Sequence, residues 1–373
     1  MITDINPFVY SRPISPDEVI DRDEETHQLL QWAVGGHFVR LYAPRKYGKT
    51  SLLGRVLRDG ERDEGLIPVM VDLYGVLSIA DVTVRIERAY ARQLKGKVRT
   101  RIEEFLQGTG LGLSLGAYGV SAKLQLEPKI DPLPALHALL DLPLRLESGG
   151  GQRALVVFDE FQDIVKVNQM EAILRSHIQH QGEVASYVFA GSEPGMMEQL
   201  FENKERPLYG AAVPMRLNRL ESQDIAAYVI ERFRGTNRSV GEALNPLLQT
   251  AAGHPQRAIM LAHRLWAVVD EGETATLEDW NTAHAAALEE LDPEFDAHWR
   301  GLGTTEQKAL RAVLAGDGSP LSGHVLARLE LDKATAYKAL RRLAATAEVE
   351  RVDGTYAIVD PLFAEWISRT GSA

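Results

Sequence analysis

The chain has 373 residues and no cysteine. This absence excludes disulfide bonds, thiolate metal ligands and a cysteine nucleophile. The sequence also lacks any run of about 18 apolar residues, so we expect no membrane span and no membrane partner. Its first residues, MITDINPFVYSRP, do not have the basic and apolar segments of a secretory signal. We therefore expect a cytoplasmic protein.

Positive charge is scarce as well. The chain carries 41 Lys and Arg against 52 Asp and Glu, for a net charge of −11. A protein that coats nucleic acid nonspecifically is usually basic, so the composition argues against that class. The negative charge is unevenly distributed along the chain. Residues 301–373 have nine charges of each sign, so the whole acidic excess lies in residues 1–300. With 45% hydrophobic and 25% charged residues, the chain is typical of a globular protein with about two or three domains.

A phosphate-binding loop is predicted at residues 43–51, APRKYGKTS. The apolar segment GHFVRLY precedes it and the helical pattern SLLGRVLRDG follows it, which is the strand–loop–helix context that such a loop requires. The first glycine of the motif G-x-x-x-x-G-K-[ST] is replaced by Ala43. We expect alanine to be tolerated at a negative φ, since this position lies where the strand bends into the loop.

Each residue type in this loop has a physical reason. Backbone N–H groups and the start of the following helix attract phosphate oxygens. Lys49 would reach the β- and γ-phosphates, and the Thr50 hydroxyl would bind Mg²⁺. The residues predicted to contact the nucleotide here are Pro44, Arg45, Lys46, Tyr47, Gly48, Lys49, Thr50 and Ser51.

Two acids end the most strand-like segment, RALVVFDEF. Acids at the carboxyl end of a parallel strand lie at the edge of the sheet where ligands bind. We expect Asp159 to hold Mg²⁺ and Glu160 to orient and polarise the attacking water. Ser192 ends a later strand, YVFAGS, and could contact the γ-phosphate or the water. Alternatively, the two acids are solvated strand-end residues and Ser192 is an ordinary strand-ending serine.

The coarse pattern predicts three domains. Strands alternate with helices over residues 1–219, which favours a parallel α/β sheet covered on both faces. Residues 110–127 alternate apolar and small residues around a glycine-rich turn, which predicts a β-hairpin insertion. This hairpin either extends the sheet or projects as an apolar contact for a subunit, DNA or a partner. Residues 220–298 show only helical patterns.

Residues 299–373 are predicted to form a winged helix-turn-helix. Three helical segments are followed by two alternating strands around Asp353-Gly354, a strong hairpin signal. The first helix has a capping-box pattern from Thr304 to Gln307. The presumed recognition helix, residues 332–346, would place four cations against duplex DNA. Helices in winged domains also dock proteins, so both targets stay open. The four cations are Lys333, Lys338, Arg341 and Arg342.

Over most of its length the chain resembles the archaeal-type P-loop ATPases, a branch close to the AAA+ and STAND groups and to archaeal replication-initiator ATPases. APRKYGKTSLL is similar to the family's phosphate loop, VVFDEFQDI to its Walker B segment and FAGSEPGMM to its sensor-1 strand. NPF at 6–8 and VIDRDEETHQLLQW at 19–32 are similar to the N-terminal segment that lies against the adenine. The resemblance implies a nucleotide contact at Arg22, with Glu25 at its fixed position.

The resemblance also implies a helical lid. Gly253-His254-Pro255 is similar to the family's G-x-P motif, which places Pro255 near the nucleotide base. Arg257 is then the candidate sensor-2 arginine that reaches the γ-phosphate. The alternative is a helix that simply begins at a proline and carries an exposed arginine.

By this resemblance the chain is an AAA+/STAND-like ATPase that binds ATP or ADP with Mg²⁺. Members often have an arginine near the position of Ala211, and its absence implies slow hydrolysis without a protein partner or a second copy. Arg206, Arg216 and Arg219 are nearby substitutes. Three functions stay open: a DNA-linked ATPase, a STAND-type switch whose winged helix docks protein, and a scaffold that retains nucleotide with negligible turnover.

Overall fold

A computed structural model describes residues 5–108, 131–316, 319–352 and 354–370. The predicted hairpin at 110–127 lies outside these residues and stays a prediction. In the part of the chain that is described, no helix is long and apolar enough to span a membrane.

The chain divides into two compact units. We call the first the sheet unit; it comprises Ser15–Ala43 and Lys49–Leu217. We call the second the lid–wing unit; it comprises Met1–Ile14, Pro44–Gly48 and Asn218–Ala373. The boundary at 217/218 lies close to the predicted one at 219. The middle of the phosphate loop, Pro44–Gly48, belongs to the lid–wing unit although its two flanks belong to the sheet unit.

The sheet unit contains a five-stranded parallel sheet in the order β2-β3-β4-β1-β5. Every residue of the central strands β3 and β4 is buried, as expected for strands covered on both faces. The predicted parallel α/β architecture is therefore confirmed. The strands are β1 (Val39–Tyr42), β2 (Ile67–Asp72), β3 (Ala154–Asp159), β4 (Ala185–Gly191) and β5 (Val213–Arg216).

Helices connect these strands. They are α1 (Asp23–Val34), α2 (Lys49–Glu64), α3 (Ile79–Gln93), α4 (Gly96–Gly108), α5 (Leu133–Leu140), α6 (Leu142–Gly150), α7 (Met170–Ile178) and α8 (Pro194–Glu202).

Two segments with a continuous helical sequence pattern each form two helices. Residues 80–108 have the apolar spacing of one long amphipathic helix interrupted at Gly96, and the structure has α3 and α4. Leu94 between them adopts an extended backbone and is buried, so the break turns its side chain into the core. The segment between Pro132 and Gly151 likewise forms two helices, α5 and α6, which meet at Asp141. Pro143 has no N–H to donate to a preceding turn, so one continuous helix is disfavoured there.

The lid–wing unit continues with four helices. The pattern after residue 220 predicted this helical run. The boundary predicted at 298/299 falls inside the last of these helices, which ends at Gly301. The four are α9 (Ser222–Gly235), α10 (Leu244–Ala251), α11 (Pro255–Val268) and α12 (Leu277–Gly301).

The remaining elements have the order of a winged helix. Strands β6 and β7 pair antiparallel, with Val349 opposite Ile358. Asp353 of the predicted turn lies outside the described residues. The elements are α13 (Thr304–Ala315), α14 (Gly323–Arg328), α15 (Lys333–Ala345), β6 (Val349–Val352), β7 (Thr355–Ile358) and α16 (Pro361–Thr370).

The predicted capping box at the start of α13 is wrong by one residue. The N-cap is Gly303, whose N–H donates to Glu306 Oε2 at 3.0 Å. Gln307 instead turns back and donates from Nε2 to the Trp299 carbonyl at 2.7 Å. The glutamate is preferred because its negative charge also interacts favourably with the helix N-terminus.

Candidate nucleotide-binding site

The phosphate loop connects β1 to α2. Lys46 and Gly48 have positive φ angles of 67° and 84°. Ala43 is fully buried and does not have a positive φ. Its N–H donates to the Gly191 carbonyl at 3.3 Å, so it continues the sheet pairing of β1. Alanine therefore fits at this position, and the left-handed turn is made further along the loop.

Lys49 and Thr50 are the first two residues of α2. Lys49 is 5% exposed, and its Nζ donates to the Ala43 carbonyl at 3.1 Å. The Thr50 hydroxyl donates to Asp159 Oδ2 at 2.9 Å. Ser51 in the same turn is buried. The cation, the hydroxyl and the carboxylate that the sequence predicted to act together thus lie together at the carboxyl end of the sheet.

Asp159 is the last residue of β3. Its Oδ1 accepts the N–H of Glu160 at 3.0 Å, so both carboxylate oxygens have donors. Burial raises the pKa of Asp159 above its ordinary value, and the hydrogen bond from Thr50 and the charge of Lys49 act in the opposite direction. A carboxylate and a hydroxyl at this spacing are oxygen ligands of the kind that Mg²⁺ takes alongside nucleotide phosphates.

Glu160 follows β3 in a left-handed conformation, with φ of 50°. Its Oε2 accepts two hydrogen bonds of 2.6 Å, one from the Ser192 hydroxyl and one from Gln162 Nε2. Ser192 is 1% exposed at the end of β4. The structure therefore brings Glu160 and Ser192 into direct contact, although they come from different strand ends. We call Glu160, Gln162 and Ser192 the carboxylate cluster.

Gln162 is a member of this cluster that the sequence reasoning missed. It is 1% exposed, and its Oε1 also accepts the Ser192 N–H at 3.3 Å. It lies in a 3-10 helix, Phe161–Lys166, directly after the strand-end acids. A signal was present, since Gln162 lies between the apolar residues Phe161 and Ile164, and an amide side chain that is buried with them requires hydrogen-bond partners.

Arg22 is placed at the start of α1 in the sheet unit. It is 5% exposed and left-handed, with φ of 71°. Its Nη1 donates to Glu25 Oε1 at 2.6 Å, so the two residues singled out by the resemblance form an ion pair. Their role at the adenine stays a prediction.

The G-x-P motif opens α11 in the lid–wing unit. His254 is its N-cap, and Nδ1 accepts the Arg257 N–H at 3.3 Å. Burial lowers the pKa of His254 to about 3, against the attraction of Asp360. Pro255 is the first helical residue and is buried. This is the structure that a proline-initiated helix predicts.

Arg257 is not the exposed side chain of the alternative interpretation. It is 1% exposed, and its Nε donates to both carboxylate oxygens of Asp360 at 3.0 Å. Burial alone would raise the pKa of Asp360, but the hydrogen bonds and charge of Arg257 outweigh it, so the pKa is lowered. Contact of Arg257 with a γ-phosphate stays a prediction, and it would require this pair to separate.

The three arginines near Ala211 have different surroundings. Arg206 pairs with Glu171 at 2.8 Å. Arg216 is exposed at the end of β5. Arg219 pairs with Glu350 at 2.8 Å. None of these environments singles out one arginine for a catalytic role.

No protein-family model matches the chain, and no curated protein matches it. Solved structures do. A Walker-type ATPase of Pyrococcus abyssi is similar with a TM-score of 0.70 and 19% identity, over 99% of this chain and 100% of that one. The ORC2 protein of Aeropyrum pernix, in ADPNP–ADP complexes, is similar with a TM-score of 0.60 and 14% identity, over 99% of both chains.

At these identities the likeness is one of fold. The chain shares the fold of these Walker-type ATPase and ORC2 structures, with a parallel-sheet core, a helical lid and a winged helix. The likeness extends over the whole chain, so it includes the lid and the wing as well as the sheet.

Proposed function

We propose that the chain binds ATP with Mg²⁺ and hydrolyses it. The observation that carries the proposal is the 2.9 Å hydrogen bond between the Thr50 hydroxyl and Asp159, beside the buried Lys49. Thr50 and Asp159 are 109 positions apart in the sequence, and with Lys49 they supply the cation, hydroxyl and carboxylate of a P-loop nucleotide site. If Lys49 were only an incidental lysine in a turn, there would be no reason for the Thr50 hydroxyl and the Asp159 carboxylate to lie beside it.

Each residue then has a role in phosphoryl transfer. Lys49 would bind the β- and γ-phosphates in place of the Ala43 carbonyl that it now contacts. Thr50 and Asp159 would hold Mg²⁺, which would neutralise charge on the transferred group. Glu160, held by Ser192 and Gln162, would orient the attacking water. Because its carboxylate is already fixed, little ordering remains to be done when ATP binds.

We further propose that turnover is slow in the isolated chain. Transition-state charge on a γ-phosphate is commonly stabilised by an additional arginine, supplied in the same chain or by a partner. Arg206 and Arg219 are each held by a carboxylate, and Arg257 is paired with Asp360. An arginine from a second copy or from a protein partner would complete the site. In this proposal the nucleotide drives a conformational switch of the lid and winged helix.

A DNA-linked role is favoured by the surface of α15. Its four cations and the Tyr337 ring are exposed, with Tyr337 at 48%. An exposed basic helix with an aromatic side chain suits phosphate contact and stacking. The wing adds Arg351, whose guanidinium lies 5.0 Å from the Tyr356 ring. The STAND-type alternative uses the same surface to dock protein, and the scaffold alternative keeps nucleotide without turnover.

One experiment separates these functions. ATP binding and turnover are measured for the wild type and Lys49→Ala, with and without duplex DNA, together with the mass of the particle. A turnover rate that rises when DNA is added supports the DNA-linked ATPase. A turnover rate that is the same with and without DNA favours the protein switch. Bound nucleotide with no turnover under any condition favours the scaffold. Equal ATP affinity in the wild type and Lys49→Ala would remove the proposed site.

A further inference from the structure

The middle of the phosphate loop is held by the wing of the same unit. Tyr47 is 1% exposed, and its hydroxyl donates to Glu350 Oε1 on strand β6 at 2.6 Å. Its ring packs against the His254 imidazole in a T-shaped arrangement, with centroids 5.0 Å apart. The neighbouring Lys46 pairs with Glu294 of α12 at 3.0 Å. The side chains of Lys46 and Tyr47 therefore connect the loop segment to the lid and the wing.

Glu350 is built into the wing as an acceptor. It is 9% exposed, and the same Oε1 that accepts from Tyr47 also accepts from Arg219 Nε at 2.8 Å. Arg219 also bonds to two backbone carbonyls. Its Nη2 donates to the Val359 carbonyl at 2.9 Å, and its Nη1 donates to the Ala252 carbonyl at 2.8 Å. A nearly buried carboxylate that shares one oxygen between two donors is costly to leave without them.

The backbone of this segment is in unusual conformations on both sides of Tyr47. Lys46 is left-handed at φ of 67°, a conformation that costs a non-glycine residue energy, and Gly48 has φ of 84°. A loop with such angles needs its surroundings to hold it. Tyr47 lies between Lys46 and Gly48, and its side chain is buried and hydrogen-bonded. It is therefore placed to hold the loop in this conformation.

We propose that Glu350 is a positioning residue for nucleotide binding. Acting through Tyr47, it keeps the phosphate loop in the conformation that binds nucleotide, so the affinity of the loop is set by the wing. This inference rests on the proposed ATP site and adds its regulation. By thermodynamic reciprocity, a nucleotide that binds the held loop also strengthens the hold of the loop on the wing.

The test uses the full-length chain and ADP as the probe. Tyr47→Phe removes only the hydroxyl, and Glu350→Gln removes the charge with little change of shape. We expect each to raise the Kd for ADP by about tenfold, and the double variant to be no weaker than either single variant, because the two act through one contact. Tighter or unchanged ADP binding in both single variants would overturn the proposal.

A matched control exists in the same unit. The Tyr10 hydroxyl donates to Glu290 Oε1 at 2.9 Å, and Glu290 also pairs with Arg264, so these residues form a second Tyr–Glu–Arg trio. Tyr10→Phe should leave the Kd for ADP unchanged. An equal loss of affinity in Tyr10→Phe would show that the effect is a general one on the unit, and the assignment of Glu350 would fail.

A second measurement separates positioning from packing. Amide hydrogen exchange of residues 349–358 is compared with and without saturating ADP. The wing should be protected by ADP in the wild type and not in Tyr47→Phe, a difference that a merely structural tyrosine would not produce. If the wild type does not bind ADP, the proposed function fails. If it binds ADP and Tyr47→Phe shows the same affinity and the same protection, only the present inference fails.

Discussion

The hydroxyl of Ser192 donates a 2.6 Å hydrogen bond to the carboxylate of Glu160, and Gln162 donates a second one to the same oxygen. The carboxylate is thus oriented by two uncharged groups that do not neutralise it. A residue that polarises water has to be held in a fixed orientation. In the carboxylate cluster the hydrogen bonds from Ser192 and Gln162 hold Glu160, the residue that we propose for this role.

We expect Ser192→Ala to lower kcat for ATP by about 10- to 100-fold, equivalent to one hydrogen bond to a charged group. The Kd for ATP should stay within about twofold, because Ser192 acts on Glu160. Steady-state turnover and ATP binding are the measurements. Ser176→Ala, which removes an exposed hydroxyl bonded to the Ile173 carbonyl, is the control and should change neither.

Glu160→Gln should bind ATP as the wild type does and hydrolyse it about 10²- to 10⁴-fold more slowly, because an amide cannot act as a base toward water. Single-turnover hydrolysis of bound ATP measures the step directly. Glu198→Gln, at an exposed acid on α8, serves as the control. Turnover retained in Glu160→Gln would place the base at another residue.

The buried pair Arg257–Asp360 predicts a large stability effect. Asp360→Asn should lower the free energy of unfolding by about 3–5 kcal/mol, because it leaves the buried guanidinium without its counter-charge. Asp360 Oδ1 also accepts the Leu362 N–H at 3.1 Å at the start of α16, and asparagine can keep this cap, so the loss reports the charge. Glu290→Gln removes an acid from the more exposed pair with Arg264 and should cost less than about 1 kcal/mol. Denaturant unfolding of both variants gives the comparison, and equal costs would contradict it.

Burial of His254 predicts a pH dependence with a definite sign. Its pKa is lowered to about 3 in the folded chain, so the unfolded chain binds the extra proton between that pH and the ordinary value near 6.5. Stability should therefore be full above about pH 6.5 and fall as the pH is lowered toward 3. The slope attributable to this group is about 1.4 kcal/mol per pH unit.

His254→Asn tests this sign, because asparagine is also a good N-cap residue. The difference in unfolding free energy between wild type and variant should shrink or change sign as the pH falls from 7 to 4. His324→Asn, at an exposed histidine on α14, should show no such trend. A difference between wild type and His254→Asn that is independent of pH would mean that folding does not lower the pKa of His254.

The exposed cations of α15 predict salt-dependent binding to duplex DNA. Replacing Lys338, Arg341 and Arg342 with alanine should weaken binding and reduce the slope of log K against log salt by about 0.9 for each phosphate that is no longer neutralised. Arg369→Ala, on α16, is the matched control for removal of charge. Fluorescence anisotropy at several salt concentrations gives the slope. No binding by the wild type at low salt would favour a protein as the target of the winged helix.

The sequence predicted best where one local pattern carries one structural consequence. The contact of Thr50 with Asp159 follows from a strand–loop–helix motif and from acids at a strand end, since the carboxyl ends of parallel strands meet at one edge. The order of the winged helix follows in the same way from helical periods and a turn signal.

Other features depend on packing that no local pattern encodes. Gly96 signals the break between α3 and α4, but the helical period does not show that the Leu94 side chain turns into the core there. Capping by Glu306 in place of Gln307 is a choice between adjacent residues of similar propensity. The sequence shows Glu350 only as one residue of an alternating strand pattern. The role that we propose for it depends on its hydrogen bond with Tyr47, which lies 303 positions earlier.

That separation has a consequence for how the chain is made. Residue 47 leaves the ribosome long before residue 350, and at about 5–20 residues per second the delay is about 15–60 s. During this time Tyr47 has no Glu350 to bind, although Thr50 can bond to Asp159 once that residue has been made. The phosphate loop is therefore among the first segments to be synthesised and among the last to form all of its contacts.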